Sequence, residues 1–189
     1  SGVLLALAAT ARHILRRAGA NTPPELIVGH GALGQLLARL VVALYDFSPI
    51  VWEQNSNRQS TEAGYTVVHP EDDIHNDYKV ICDVSGDAEV LDQLIKRSTR
   101  GACIILGGFY QASPSFSFPP AFMREISIVV SAEWEHTDLL DVVSLLRAGR
   151  LSLDGIISDS VSARNATDAY HTAFSDPDCL KMVLDWRTL

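Results

Sequence analysis

Basic residues are scarce in this chain. Its 15 lysines and arginines face 23 aspartates and glutamates, for a formal charge of -8 and a pI near 5.1. A field of that sign repels polyanions, and too few cations are present for the counterion release that drives nucleic-acid binding, so nucleic acid is excluded as an expected partner. Cysteine is scarcer still. Cys82, Cys103 and Cys179 stand far apart, with no metal-ligand spacing and no disulfide framework, and the first two sit in apolar runs that read as buried strands. A long uninterrupted apolar run is also missing. The stretch 26–45 comes nearest, but His30, Arg39 and three glycines break it, which excludes a membrane span there. Nor does the chain open with a charged segment, an apolar stretch and a cleavage site, so no secretory signal is expected and a reduced, cytoplasmic compartment follows. Internal repeats and low-complexity tracts are absent from the sequence as well.

What is present is the profile of an ordinary globular domain. The chain is 47% hydrophobic and 20% charged over 189 residues, enough to bury one substantial core. Apolar periodicity predicts a first helix over residues 4–18, ended by Gly19, and the Asn21-Thr22-Pro23-Pro24 stretch reads as a loop because paired prolines fix φ and remove donors. Short, continuously apolar runs then predict strands at 26–28, 50–52, 66–68, 78–83, 102–106 and 126–130. Helices are expected from the glycine turn through Leu44, over 88–97, and over 138–148 with Gly149 as the stop. Strands that are apolar throughout, separated by helices, belong to a parallel sheet covered on both faces. The expected fold is therefore α/β, a Rossmann-type doubly wound sheet.

The chemistry begins at Gly29-His30-Gly31-Ala32-Leu33-Gly34. A G-x-G-x-x-G pattern alone is weak, but this one leaves a strand and opens a helix. Gly29 suits the tight turn, Gly31 lets backbone approach a pyrophosphate, and Gly34 lets the helix pack close on the strand. The positive end of the helix then faces the phosphates. Glu53 ends the second strand about twenty residues on, where an acid accepts bonds from the adenosine ribose. A 2′-phosphate about 4 Å from that carboxylate would be repelled by roughly 4 kcal/mol per unit charge at an effective dielectric of about 20. Arg58 argues the other way, since a nearby arginine accommodates such a phosphate. Glu53 holds the diagnostic position, and NAD is the expected cofactor. Ser85 and Gly86 after the fourth strand, and Gly108, Phe109 and Tyr110 after the fifth, fall at the carboxyl edge of the sheet and should border the ribose and nicotinamide.

Several tempting groups read more simply as structure. His30, within the turn, has reach toward a substrate, yet an unconstrained fingerprint position explains it. Thr10 and His13 are expected on a packing face of the first helix. His69, Asp72, Asp73, His75 and Asp77 read as a solvated acidic loop rather than metal ligands, and Glu133, Glu135 and His136 likewise. Phe116, Phe118 and Phe122 are expected in the core.

The segments Thr10-Ala11-Arg12-His13-Ile14-Leu15, Phe116 through Ile128, Leu145 through Leu151, Ala166 through Phe174 and Leu180 through Leu184 resemble the medium-chain dehydrogenase/reductase superfamily, the zinc-type alcohol dehydrogenases. The resemblance spans essentially the whole chain and implies a joining helix at 1–20, an NAD-binding domain at 21–160, and a closing helix and return strand at 161–189. Phe118-Pro119-Pro120-Ala121-Phe122-Met123-Arg124-Glu125, the most specific stretch, is similar to the branch that oxidises a 1-hydroxyethyl substituent on a bacteriochlorophyllide, which implies a tetrapyrrole substrate. Nothing here resembles the superfamily's N-terminal catalytic domain or its zinc ligands. The chain also starts Ser1-Gly2 with its apolar periodicity running by residue four, so a piece of a longer protein is expected. A homo-oligomer is compatible with this reading. Two rivals share the fingerprint: a non-catalytic NAD-sensing module, and an S-adenosylmethionine methyltransferase, against which the sixth strand and the closing segments argue.

Overall fold

The computed structural model describes residues 2–19, 22–60 and 63–188. Ser1, Ala20 and Asn21, which the sequence reading places in the joining helix and the loop after it, lie outside them. Two compact units emerge, residues 2–152 and 153–189.

The larger unit is built on six parallel strands. They are β1 (Leu26–Val28), β2 (Ile50–Trp52), β3 (Thr66–Val68), β4 (Tyr78–Asp83), β5 (Ser98–Leu106) and β6 (Ser127–Val130), in the spatial order β3-β2-β1-β4-β5-β6. That order places β1 at the centre with the strand sequence reversing beside it, the arrangement in which ligands gather at the carboxyl ends of the strands. The expected Rossmann architecture is the observed one. All six predicted strands form; β5 starts four residues early, across a register shift opposite Tyr78 and Val80.

The helices are α1 (Leu5–Ala18), α2 (Ala32–Tyr45), α3 (Leu91–Arg97), α4 (Phe118–Arg124) and α5 (His136–Arg147). Helix α1 packs on α2 and α5, burying Ala8, Ala11, Ile14 and Leu15 completely. The small alanines allow close approach, and the apolar face recurs every three to four residues, as a helix lying on a core must. Gly107 permits the close approach of α1 to the end of β5, since a Cβ there would stand 2.5 Å from Ile14 Cδ1. On the other face α3 buries Leu91, Leu94 and Ile95 against β4 and β5. Helix α5 opens with a reciprocal capping box between Glu135 and Asp138. Gly149 follows its end at φ +66°, as a glycine stop should.

Three expectations change. Phe116, Phe118 and Phe122 are exposed, with Phe118 and Phe122 about two-thirds accessible. Helix α4 is only seven residues long and buries only Ala121, so its aromatics have no core to enter. The loop holding Asp73 is not simply solvated. Asp73 is buried and its carboxylate takes bonds from Trp52 Nε1 (2.7 Å), the Tyr78 hydroxyl (2.6 Å) and the His75 backbone and ring (3.0 and 2.8 Å). Arg97 fastens the same loop through the carbonyls of Asp73 and His75, with its guanidinium over the Trp52 ring. Glu135 is exposed yet engaged, capping α5 and bonding Arg16 at 3.0 Å.

The smaller unit joins β7 (Asp159–Ser162) and β8 (Met182–Asp185) as a parallel pair, with α6 (Ala166–Ser175) lying against both strands. Among the described residues, no helix is long and apolar enough to cross a membrane.

Candidate functional site

The ends of β1, β2 and β4 surround a cleft of about 250 Å³. The glycine turn forms one wall. Gly29 leaves β1 at φ +97°, and a Cβ on it would meet Ser85 Cα at 2.9 Å, so backbone from two loops touches there. Gly34 is tighter still: its Cβ would lie 1.8 Å from the Gly29 carbonyl oxygen, a position that admits no side chain. Gly31 differs from both. It stands at the N-terminus of α2 and lines the cleft, yet a Cβ added to it would meet nothing within 4 Å. No side chain caps this helix end. A helix end with open approach, orphan N–H groups and a partial positive charge is a fitting cradle for a phosphate.

Glu53 lines the same cleft from the end of β2. Its carboxylate accepts from the His30 backbone N–H (3.1 Å) and the Asn55 backbone N–H (2.8 Å), so it clamps the glycine turn to the loop after β2. Both bonds fix the orientation of the acid before any ligand arrives. Arg58 also lines the cleft, with its Nε buried and without a partner among the described residues.

His30 is corrected. Its ring is 2% exposed, with Nδ1 at 2.5 Å from the Arg58 carbonyl and Nε2 at 2.8 Å from the Tyr65 hydroxyl. The carbonyl can only accept, so Nδ1 carries the proton and Nε2 accepts from Tyr65. Burial pushes the ring's pKa down, against the raising effect of the Arg58 carbonyl, which fits this neutral tautomer. Both nitrogens are used and the ring is enclosed, so His30 cannot reach a substrate. It ties the glycine turn to Arg58.

The other expected residues gather around one that the sequence reading did not single out. Asp83, the last residue of β4, is fully buried. It accepts from the Ser85 N–H (2.9 Å) and hydroxyl (2.7 Å) and from the Tyr110 hydroxyl (2.7 Å), while its own carbonyl accepts from Gly107 and Gly108. One carboxylate thus fastens the loop after β4 to the loop after β5. Burial raises its pKa, opposed by the bonds from Ser85 and Tyr110, and burial together with the Asp83 charge pushes the Tyr110 phenol up. The signal that marks Asp83 is an acid at the end of an apolar strand, where a buried charge must have partners. Gly86, at φ +76°, brings its backbone against the Phe109 carbonyl, and the Phe109 side chain stands 92% exposed beside it. Ala32 and Leu33 form the first turn of α2. Thr10 bonds back to the Ala6 carbonyl, and His13 meets Asp138 at 2.9 Å. Among the described residues, no group of three or more acidic, histidine or cysteine side chains is placed to hold a metal.

No family profile matches the chain. It is 51% identical over 186 residues to the 2-desacetyl-2-hydroxyethyl bacteriochlorophyllide A dehydrogenase of Rhodobacter capsulatus, and 49% identical over 187 residues to the protein of the same name from Cereibacter sphaeroides. Each match covers 98% of this chain, but the chain spans only 59% and 58% of the length of those two relatives. Among solved structures, a short chain alcohol dehydrogenase from Escherichia coli in complex with NADH superposes with a TM-score of 0.83 at 18% identity, covering 97% of this chain and 58% of that one. The chain is thus homologous along nearly its whole length to part of the two bacteriochlorophyllide dehydrogenases, and it shares its fold with solved alcohol dehydrogenases.

Proposed function

We propose that the chain is the NAD-binding part of a longer cytoplasmic enzyme that oxidises the 1-hydroxyethyl group of a bacteriochlorophyllide to acetyl. The observation that carries this reading is identity near 50% over 98% of the chain to two dehydrogenases named for that substrate. The cleft suits the cofactor. Gly29 and Gly34 are glycines because the protein's own backbone leaves no room, whereas Gly31 faces open space at an uncapped helix end. That asymmetry suggests a turn shaped around the pyrophosphate of a dinucleotide. Gly29, Gly31, Ala32, Leu33 and Gly34 would supply backbone to the phosphates, with the His30 ring bracing the turn from behind. Glu53, held by two N–H groups, would take the adenosine ribose, with Arg58 flanking it. Ser85, Gly86, Gly108, Phe109 and Tyr110 would border the nicotinamide half, on a frame set by Asp83.

When bound, the cofactor supplies the hydride acceptor that oxidation of a secondary alcohol requires. The chain's own groups contribute binding and orientation: a helix end for charge, a fixed acid for the ribose, and two loops locked edge to edge. The reading assigns the group that takes the hydroxyl proton to the portion of the enzyme outside these 189 residues.

Calorimetric titration tests this directly. NAD should bind at least about tenfold more tightly than NADP, because a 2′-phosphate would meet the Glu53 charge. In Glu53→Ala that preference should relax toward NADP, with Arg58 now the dominant charge in the cleft. Failure of the chain to bind either dinucleotide would defeat the proposal.

A further inference from the structure

The carboxyl edge of the sheet has a second opening, at the β6 end, away from the glycine turn. It measures about 410 Å³ and lies between α1 and the residues after β6, lined by His13, Arg16, Arg17, Ser131 and Glu135. In a chain of net charge -8, two arginines here stand against Glu135 and the adjoining Asp138, so the opening is locally balanced rather than acidic.

The groups here are not equally committed. Arg16 is balanced, donating to Asp138 (2.9 Å), Glu135 (3.0 Å) and the Thr137 hydroxyl (2.7 Å). His13 turns Nδ1 to the same Asp138, which leaves Nε2 as its remaining polar atom. Arg17 is exposed and makes no hydrogen bond or ion pair among the described residues. Ser131 is the independent sign of a ligand: the residue is 7% exposed, and its hydroxyl is buried with no partner among the described residues. A buried hydroxyl without a partner is destabilising, and folded proteins leave few of them. Here one lies at the same opening as the uncommitted Arg17 guanidinium, a pair of donors without an acceptor among the described residues.

We infer that this opening binds a carboxylate, the free acid group carried by the tetrapyrrole substrate. The inference rests on the function proposed above. A bacteriochlorophyllide is the pigment lacking its esterifying alcohol, so an otherwise apolar macrocycle carries a free carboxyl group. Arg16 is committed to Asp138 and Glu135, so Arg17 is the one guanidinium at the opening without a partner among the described residues, and a single free fork matches a monoanion better than a phosphate. The planar fork of an arginine also suits a carboxylate. The other source of negative charge, a dinucleotide phosphate, is expected at the glycine turn on the opposite half of the sheet.

The test is fluorescence titration of the 189-residue chain with a free-acid bacteriochlorophyllide and with its methyl ester, alongside calorimetric titration with NAD. The wild-type chain should bind the acid about tenfold more tightly than the ester, as one charge-assisted pair allows. Arg17→Glu should abolish that preference and Ser131→Ala should reduce it about threefold, both with unchanged NAD affinity. Equal affinity for acid and ester in the wild type would overturn the site while leaving an NAD-binding dehydrogenase standing. Weakened NAD binding in Arg17→Glu would assign the opening to a cofactor phosphate and overturn it too. Binding of neither tetrapyrrole would overturn the substrate class and this site together.

Discussion

Residues 2–152 and residues 153–189 solve the problem of burying a sheet in different ways. In the first unit six parallel strands lie between helix layers, and β1 and the far end of β4 are enclosed on both faces; Leu26, Ile27, Ile81 and Cys82 are wholly buried. The second unit has two parallel strands and one helix. Its strands are only partly buried along their whole length, and the core it contains is little more than Leu153, Ile156, Ala163 and Ala169. Tyr170 and Phe174 stack on each other at 6.2 Å and remain 59% and 86% exposed. A two-stranded sheet has too little apolar area to offset the entropy of ordering it, whereas six strands between helices have a surplus. The lesson is where precision is affordable: glycines with no room for a Cβ, such as Gly29 and Gly34, and buried charges occur in the first unit, where the surrounding packing holds them.

The most severe way to break the first unit is at its tightest contact. Gly34→Ala would place a Cβ 1.8 Å from the Gly29 carbonyl, so either β1 or α2 must move. A loss of more than about 3 kcal/mol is expected by urea denaturation, in the range reserved for overpacking of close-packed interiors. Gly31→Ala is the control three residues earlier. It should change stability by less than about 1 kcal/mol, since open space surrounds it, yet weaken NAD binding at least about tenfold. Equal stability losses in the two variants would mean that Gly31, too, is held by the protein rather than kept open for a ligand.

Next in size is Asp73. Replacing it with alanine strands Trp52 Nε1 and the Tyr78 hydroxyl inside the protein, at a cost of about 2–4 kcal/mol for two buried donors. Burial pushes this carboxyl upward, but the bonds from Tyr78, His75 and Trp52 outweigh burial and hold its pKa below the usual carboxylate value. A depressed pKa in the folded state means that the unfolded chain binds the proton more tightly. The stabilisation is therefore complete above an unfolded pKa of about 3.9 and is lost as pH falls through the folded value. Stability measured between pH 6 and pH 3 should drop more steeply in the wild-type chain than in Asp73→Asn. Parallel curves would remove Asp73 from the acid sensitivity.

How far these features were legible depended on whether their cause was local. The glycine turn was readable because strand exit, helix start and backbone clearance are all decided within six residues. Glu53 was readable from its distance along the chain. Asp73 was not, since its partners Trp52 and Tyr78 belong to two other strands and an acidic loop has the same composition whether it is solvated or pinned. His30 was rightly read as part of the turn rather than as chemistry, but its bonds to Tyr65 and the Arg58 carbonyl come from distant segments and could not be read from the turn itself. Phe116, Phe118 and Phe122 look like core by type, but α4 is too short to bury more than Ala121. Strand β7, Asp159-Ser160-Val161-Ser162, carries one large apolar residue in four, so hydrophobic pattern had nothing to report there.

The smallest effect is expected in the second unit, and it is the sharpest test of the comparison. Phe174 is so exposed that Phe174→Ser removes almost no buried area, and the change in stability should stay within about 0.5 kcal/mol. Hydrogen exchange of the same chain should then separate the two regions. The amides of Ile27, Val28, Ile81 and Cys82 sit in the enclosed part of the sheet and should exchange only through global unfolding. Those of Val161, Val183 and Leu184 have one neighbouring strand and one helix to protect them, so they should open at a lower free energy. If Val183 and Leu184 proved as protected as Ile81, the thin packing of β7 and β8 could not be the measure of their stability, and the contrast drawn from burial would fail with it.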